Sequence, residues 1–193
     1  MNELTAHIAD MFEHGGPVIW VIFAVSLYGM ALVGERWLRY RSAEREIAAA
    51  LGEGGDWSHA LVAPLADAGR SRHDGESREE LADRVRNAYV EQAAQMELRL
   101  GAISVIATLL PMLGILGTVV GMIAAFNAIA LHGTGDPKIL ADGVAQALLT
   151  TEAGLITSIP LLYLHQLLVD RADRIVRRLD ECAARIVHQT ARE

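Results

Sequence analysis

Three long stretches of the chain carry almost no charge, and the polar residues are gathered between them. No Asp, Glu, Lys or Arg lies between Glu13 and Glu35, nor between Arg99 and Asp136, and Glu152 alone interrupts the run from Asp142 to Asp170. A helix needs about 20 apolar residues to cross a hydrocarbon layer ~30 Å thick, and each stretch is long enough. The pattern predicts an all-α membrane protein with transmembrane helices at 15–34, 101–131 and 143–169. A short leader at 1–14, a polar region at 35–100, a turn at 132–142 and a tail at 170–193 complete it.

The polar segments read as helical in turn. Ser77 and Glu80 have the spacing of a capping box, and Leu81, Val85, Ala88, Gln92 and Gln95 follow at helical intervals. No glycine or proline separates this run from the second apolar stretch before Gly101, which predicts one helix continuing from water into the membrane. The tail repeats the pattern with Ile175, Leu179, Cys182 and Ile186. Gly55, Pro64, Gly69 and Gly75 mark turns in the first half of the polar region.

Charge then sets the orientation. The polar region and the tail hold 16 of the 17 Lys and Arg residues (ten plus six), the leader none, and the 132–142 turn only Lys138. Cationic loops stay in the cytoplasm, so the region 35–100 and the tail are expected inside, the leader and turn outside. The leader lacks the basic start and small-residue cleavage site of a signal peptide; the first apolar helix is expected to remain as an anchor, with Trp20 and Trp37 near its ends. With 52% hydrophobic residues the chain is no ordinary soluble domain, and a single cysteine excludes an internal disulfide framework. A net charge of −7 without a basic aromatic patch speaks against nucleic acid. The arginine rows of the tail suit a solvated surface or contact with anionic membrane lipid. No metal-ligand cluster, phosphate loop or nucleophile–base pair is present, so neither enzyme activity nor a cofactor is expected.

Candidate chemistry lies where polar groups enter hydrocarbon. On the second span Gly114, Thr118, Gly121 and Ala125 recur at steps of four, three and four, with Pro111 and Ser104 close to the same stripe. A narrow, small-residue face of this kind lets a helix approach closely; it could equally line a polar pore. On the third span Gln146, Thr157, Thr150, Gly143, Gly154, Ala147, Ser158 and Thr151 fall within roughly 140° of one another. So many hydroxyls on one side suggest a polar cavity or a polar partner helix. Glu152 lies about 100° from Thr151. Two readings of it stand: a proton-carrying group beside a cavity, or a protonated acid bonded to a neighbouring helix.

The run LLPMLGILGTVVGMIAAF at 109–126, followed across a short turn by GVAQALLTTEAGLITSIPLLYLHQ at 143–166, resembles the paired helices of the MotA/TolQ/ExbB proton channel family. The three-span plan is similar to its ExbB/TolQ branch. The resemblance implies a ring-forming subunit of the bacterial inner membrane, pentameric in the family, with its N-terminus in the periplasm and its C-terminus in the cytoplasm. It implies an ExbD- or TolR-like partner with one membrane helix bearing an aspartate and, in ExbB systems, a TonB-like protein that carries the energy of proton entry to outer-membrane transport. Thr118 and Thr151 correspond to the family's two pore threonines. Where the family often has Glu, five residues before the second of these, this chain has Gln146, and it places Glu152 directly after Thr151.

The resulting expectation is a non-enzymatic proton-channel subunit that couples the proton gradient to mechanical work. Thr118, Thr151, Glu152, Gln146 and Thr150 would form the proton pathway, while Gly114, Gly121, Ala125, Gly154, Pro111 and Pro160 would pack the helices. The alternatives are a passive scaffold whose small-residue faces only pack, and a TolQ-like motor for envelope maintenance.

Overall fold

The computed structural model describes residues 5, 9, 11–52, 57–71, 77–132 and 137–190. Among them no strand is seen, and the helices from Gly16 onward are α1 Gly16–Leu51, α2 Ala63–Arg70, α3 Arg78–Glu97, α4 Leu100–His132 and α5 Pro137–Thr190. Three helical stretches are long and apolar enough to cross a membrane, within Gly16–Leu51, Arg78–Leu131 and Leu140–Thr190. The chain separates into two compact units, one of residues 1–33 and 102–165, the other of residues 34–101 and 166–193.

The apolar unit packs one face of each long helix and leaves the rest outward. Ile19 and Ile22 of α1, Ile103, Ala107 and Leu110 of α4, and Ala147, Ala153 and Leu161 of α5 are buried, while Trp20, Leu27, Met112, Ile115, Leu148 and Ile159 are exposed. An apolar exterior of this extent suits a hydrocarbon solvent and would be costly in water. The polar unit has its own core. Tyr40 and Ile47 of α1, Val62, Leu65 of α2, Leu81 and Val85 of α3, and Ile175, Leu179, Cys182 and Ile186 of α5 are buried there. The tail periodicity thus marks a core face.

The capping box at the start of α3 is formed: the Glu80 N–H donates to Ser77 Oγ at 3.2 Å, and the Ser77 N–H donates to Glu80 Oε2 at 2.9 Å. The uninterrupted helix expected from residue 78 into the second apolar stretch is not what forms. The helix stops after Glu97 and restarts at Leu100, with Arg99 at φ +67°. The cause is tertiary, since Arg36 and Tyr40 of α1 hydrogen-bond carbonyls at the end of α3. The turn expected at 132–142 is also shorter on its second side. Pro137 opens α5, where its fixed φ and missing N–H suit a first turn, so Lys138 and Asp142 are helical. The remainder of that turn at 133–136, most of the leader, and the turns around Gly55 and Gly75 lie outside the described residues.

Within the polar unit α1 and α5 are joined by one strong ion pair. Arg171 donates from Nε and Nη2 to the two carboxylate oxygens of Glu44 at 2.9 and 3.0 Å, and its guanidinium lies 4.4 Å from the centre of the Trp37 ring. Trp37 therefore stacks on a cation as well as standing at the end of a span. Hydrogen bonds from Arg171 hold the Glu44 carboxyl below its usual range. A depressed carboxylate stabilises the fold fully above its unfolded pKa and loses that contribution as pH falls through the folded value. Arg171→Ala should lower stability by about 2 kcal/mol at pH 7. That difference should shrink below about pH 4, as read by thermal unfolding of both proteins across pH in detergent.

Candidate functional site: the seam and outer face of the last two spans

The glycine pattern of α4 faces α5 directly. A Cβ placed on Gly114 would stand 3.0 Å from the Thr150 carbonyl oxygen and 3.1 Å from Thr151 Cα. One on Gly121 would stand 3.0 Å from both the Ala147 nitrogen and the Gly143 oxygen. From the other side, a Cβ on Gly154 would lie 2.7 Å from the Leu110 oxygen and 3.1 Å from Gly114 Cα. The same row includes Gly117, whose Cβ would overlap the Thr150 side chain, and Gly143, whose Cβ would overlap Ala125. The contacts at Gly114, Gly121 and Gly154 are chiefly to backbone, which cannot rotate away. The stripe is a helix-packing seam between α4 and α5 of one chain.

Of the residues assigned to packing, Gly114, Gly121, Ala125 and Gly154 lie in this seam. Pro111 is half-buried at its edge. Pro160 is exposed and takes no part; it stands six residues, about 120° around the helix, from Gly154. Gly117 belongs to the seam and was not singled out from sequence. Its spacing of three from Gly114 and four from Gly121 carried the signal.

The polar face of α5 is divided by the same packing. Thr150 is wholly buried and turns its hydroxyl to the Ala147 carbonyl of its own helix at 2.8 Å. Ser158 is buried too and donates to Leu155 O at 3.2 Å. Thr150, expected in the polar lining, is in this chain a packing residue against Gly117, because the seam takes up that side of the wheel. Gln146 is half-buried at another place. Its side-chain amide fills the space that a Cβ on Gly16 would need, and Gly16 itself holds φ +66°, a conformation glycine adopts without steric penalty. Gln146 also borders an open cavity of about 460 Å³ together with Glu13, His14, Lys138 and Asp142.

Three of the expected pathway residues remain partly accessible. Thr118 bonds the Ile115 carbonyl at 2.6 Å and is half-exposed. Thr151 donates across the seam to Gly114 O at 3.4 Å while keeping part of its surface outward. Glu152 is half-buried on the α5 face that also presents Leu148, Leu155, Ile156, Ile159 and Tyr163. An acid at this depth is expensive in hydrocarbon unless a partner or water reaches it. The geometry thus sets Thr151 and Glu152 side by side at the border of the seam, with Thr150 behind them and Gln146 away from them.

Comparison with known proteins bears on the family of the chain. The MotA/TolQ/ExbB proton channel family matches residues 57–181. The chain is similar to the biopolymer transport protein ExbB homolog of Methanothermobacter thermautotrophicus, 27% identical over 90% of this chain and 67% of that protein. It is similar to the biopolymer transport protein exbB1 of Vibrio cholerae, 40% identical over 47% of this chain and 40% of that one. It is also similar to the biopolymer transport protein ExbB of Pseudomonas putida, 25% identical over 91% of this chain and 56% of that one. The chain therefore spans between two fifths and two thirds of the length of these relatives. A match over most of the chain, which takes in the polar region from residue 57 onward, all of α4 and most of α5, settles the family: the chain is a member of the MotA/TolQ/ExbB proton channel family, on its ExbB-like side.

Proposed function

We propose that the chain is a non-enzymatic proton-channel subunit of an energy-transducing complex in the bacterial inner membrane, with the N-terminus in the periplasm and the C-terminus in the cytoplasm. Several copies would form a ring, a pentamer as in the family, around the single membrane helix of an ExbD- or TolR-like partner. The work done would be passed to a TonB-like protein and so to outer-membrane transport. One observation supports this most. Thr151 and Glu152 keep surface facing outward from a seam that seals Thr150 and Ser158, and these are the polar groups a partner helix or pore water could reach. In this reading Thr118 and Thr151 hold water and the partner helix by hydrogen bonds. Glu152 accepts and releases protons beside them, a task the amide of Gln146 cannot perform.

The test is proton flux into vesicles containing the purified chain with its partner, under an imposed pH gradient. Flux that depends on the partner and falls with Thr151→Ala supports the reading. Tight vesicles in every combination would leave the rival in place. That rival, a passive scaffold, takes its support from the seam itself, because backbone contact along α4 and α5 is what packing alone would require.

A further inference from the structure

The break at Leu98–Arg99 has no cause in its own sequence. Met96, Glu97, Leu98, Arg99 and Leu100 are all good helix formers, and neither glycine nor proline occurs among them. Yet Arg99 adopts φ +67°, a left-handed conformation that a residue with a Cβ disfavours. What holds it there comes from α1. The Arg36 guanidinium, 1% exposed, donates to the Gln95 carbonyl at 3.3 Å, and the buried Tyr40 hydroxyl donates to the Met96 carbonyl at 2.6 Å. Glu35 pairs with Arg99 itself.

The choice of carbonyls is informative. In a continuous helix the Gln95 oxygen would accept from the Arg99 N–H and the Met96 oxygen from the Leu100 N–H, four residues on. Arg36 and Tyr40 take the two acceptors that continuation would use. The arrangement is also incompletely satisfied. Arg36 Nε is buried with no hydrogen-bond acceptor among the described residues, and a buried donor of that kind disfavours the state that contains it. The end of α3 compensates in part, since its terminal carbonyls carry partial negative charge toward the guanidinium.

We propose that residues 97–100 form a two-state joint, latched by Glu35, Arg36 and Tyr40, whose released form is one unbroken helix from Arg78 to His132. The latched state bears a left-handed arginine and an orphaned buried donor; the released state relieves the left-handed conformation and restores the four backbone hydrogen bonds from the amides of residues 99–102 to the carbonyls of residues 95–98. A bistable element of this sort lets a change at α1 be read as a change of backbone in the second spanning helix.

Hydrogen exchange of the full chain in nanodiscs distinguishes the states. In the latched form the first amides of α4 have no acceptor within the helix; in the released form they do. Tyr40→Phe combined with Arg36→Met removes the donors while keeping their bulk, and should slow exchange at residues 99–102 by about tenfold or more. Adding Arg99→Gly, which removes the penalty on the left-handed conformation, should return exchange toward the wild-type rate. Tyr40→Phe alone, the mildest change, should give a smaller slowing in the same direction. Unchanged or faster exchange at 99–102 in these variants would overturn the proposal, because a merely weakened fold speeds exchange and an inert cap leaves it as it was.

Discussion

Gly154→Leu should unseat the last two spans and give the largest loss of stability of any single change in the apolar unit. Even a methyl group at this position would meet the Leu110 carbonyl at 2.7 Å, with Gly114 Cα at 3.1 Å behind it. Both obstacles are backbone, so relief requires one whole helix to move away from the other. Overpacking by one or two carbons costs about 1–3 kcal/mol in well-packed interiors, and a leucine here should exceed that range. The contrast is Gly34→Ala, where a new Cβ has no atom within 4 Å. There the gain in helix propensity should raise stability by about 0.5–1 kcal/mol. Thermal unfolding of the two variants in the same detergent reads both signs at once. Similar behaviour of the pair would show that the seam does not hold the helices together.

The second large effect separates neighbours. Glu152→Gln should reduce partner-dependent proton flux by on the order of 100-fold, since a fixed amide cannot take part in proton transfer. Thr151→Ala should reduce it as well, by a smaller factor, through the loss of a hydroxyl that water could use. Thr150→Ala should behave differently. The side chain is wholly buried against Gly117, so its removal should lower the unfolding temperature and leave flux per assembled complex close to wild type. Flux and unfolding temperature measured on all three variants distinguish the roles. If Thr150→Ala blocked flux and Thr151→Ala did not, the assignment of faces on α5 would be reversed.

That distinction shows where sequence stopped being informative. A helical wheel groups Thr150 and Thr151 because both are polar, though they stand about 100° apart. Only the position of α4 decides which is sealed, and that position is set by the backbone contacts of Gly114 and Gly121 and by Gly117 against the Thr150 side chain. Features fixed locally were legible. The Ser77–Glu80 capping box forms as its spacing implies, and Ile175, Leu179, Cys182 and Ile186 are buried as their periodicity implies. The three apolar stretches lie in helices of spanning length. Features imposed from a distance were not. The interruption at Arg99 depends on α1 side chains some 60 positions earlier, and the place of Gln146 depends on the bend at Gly16. Pro160 reads as a packing residue, yet it is exposed.

The close approach of α4 and α5 has a mechanical corollary. Helices whose main chains touch at Gly114, Gly121 and Gly154 cannot ratchet lengthwise without lifting apart, as knobs of side chain sometimes can. They form a stiff strut. Any power stroke in the assembly would consequently be taken up between struts, at the outward surfaces, with the paired spans themselves transmitting load rather than yielding to it.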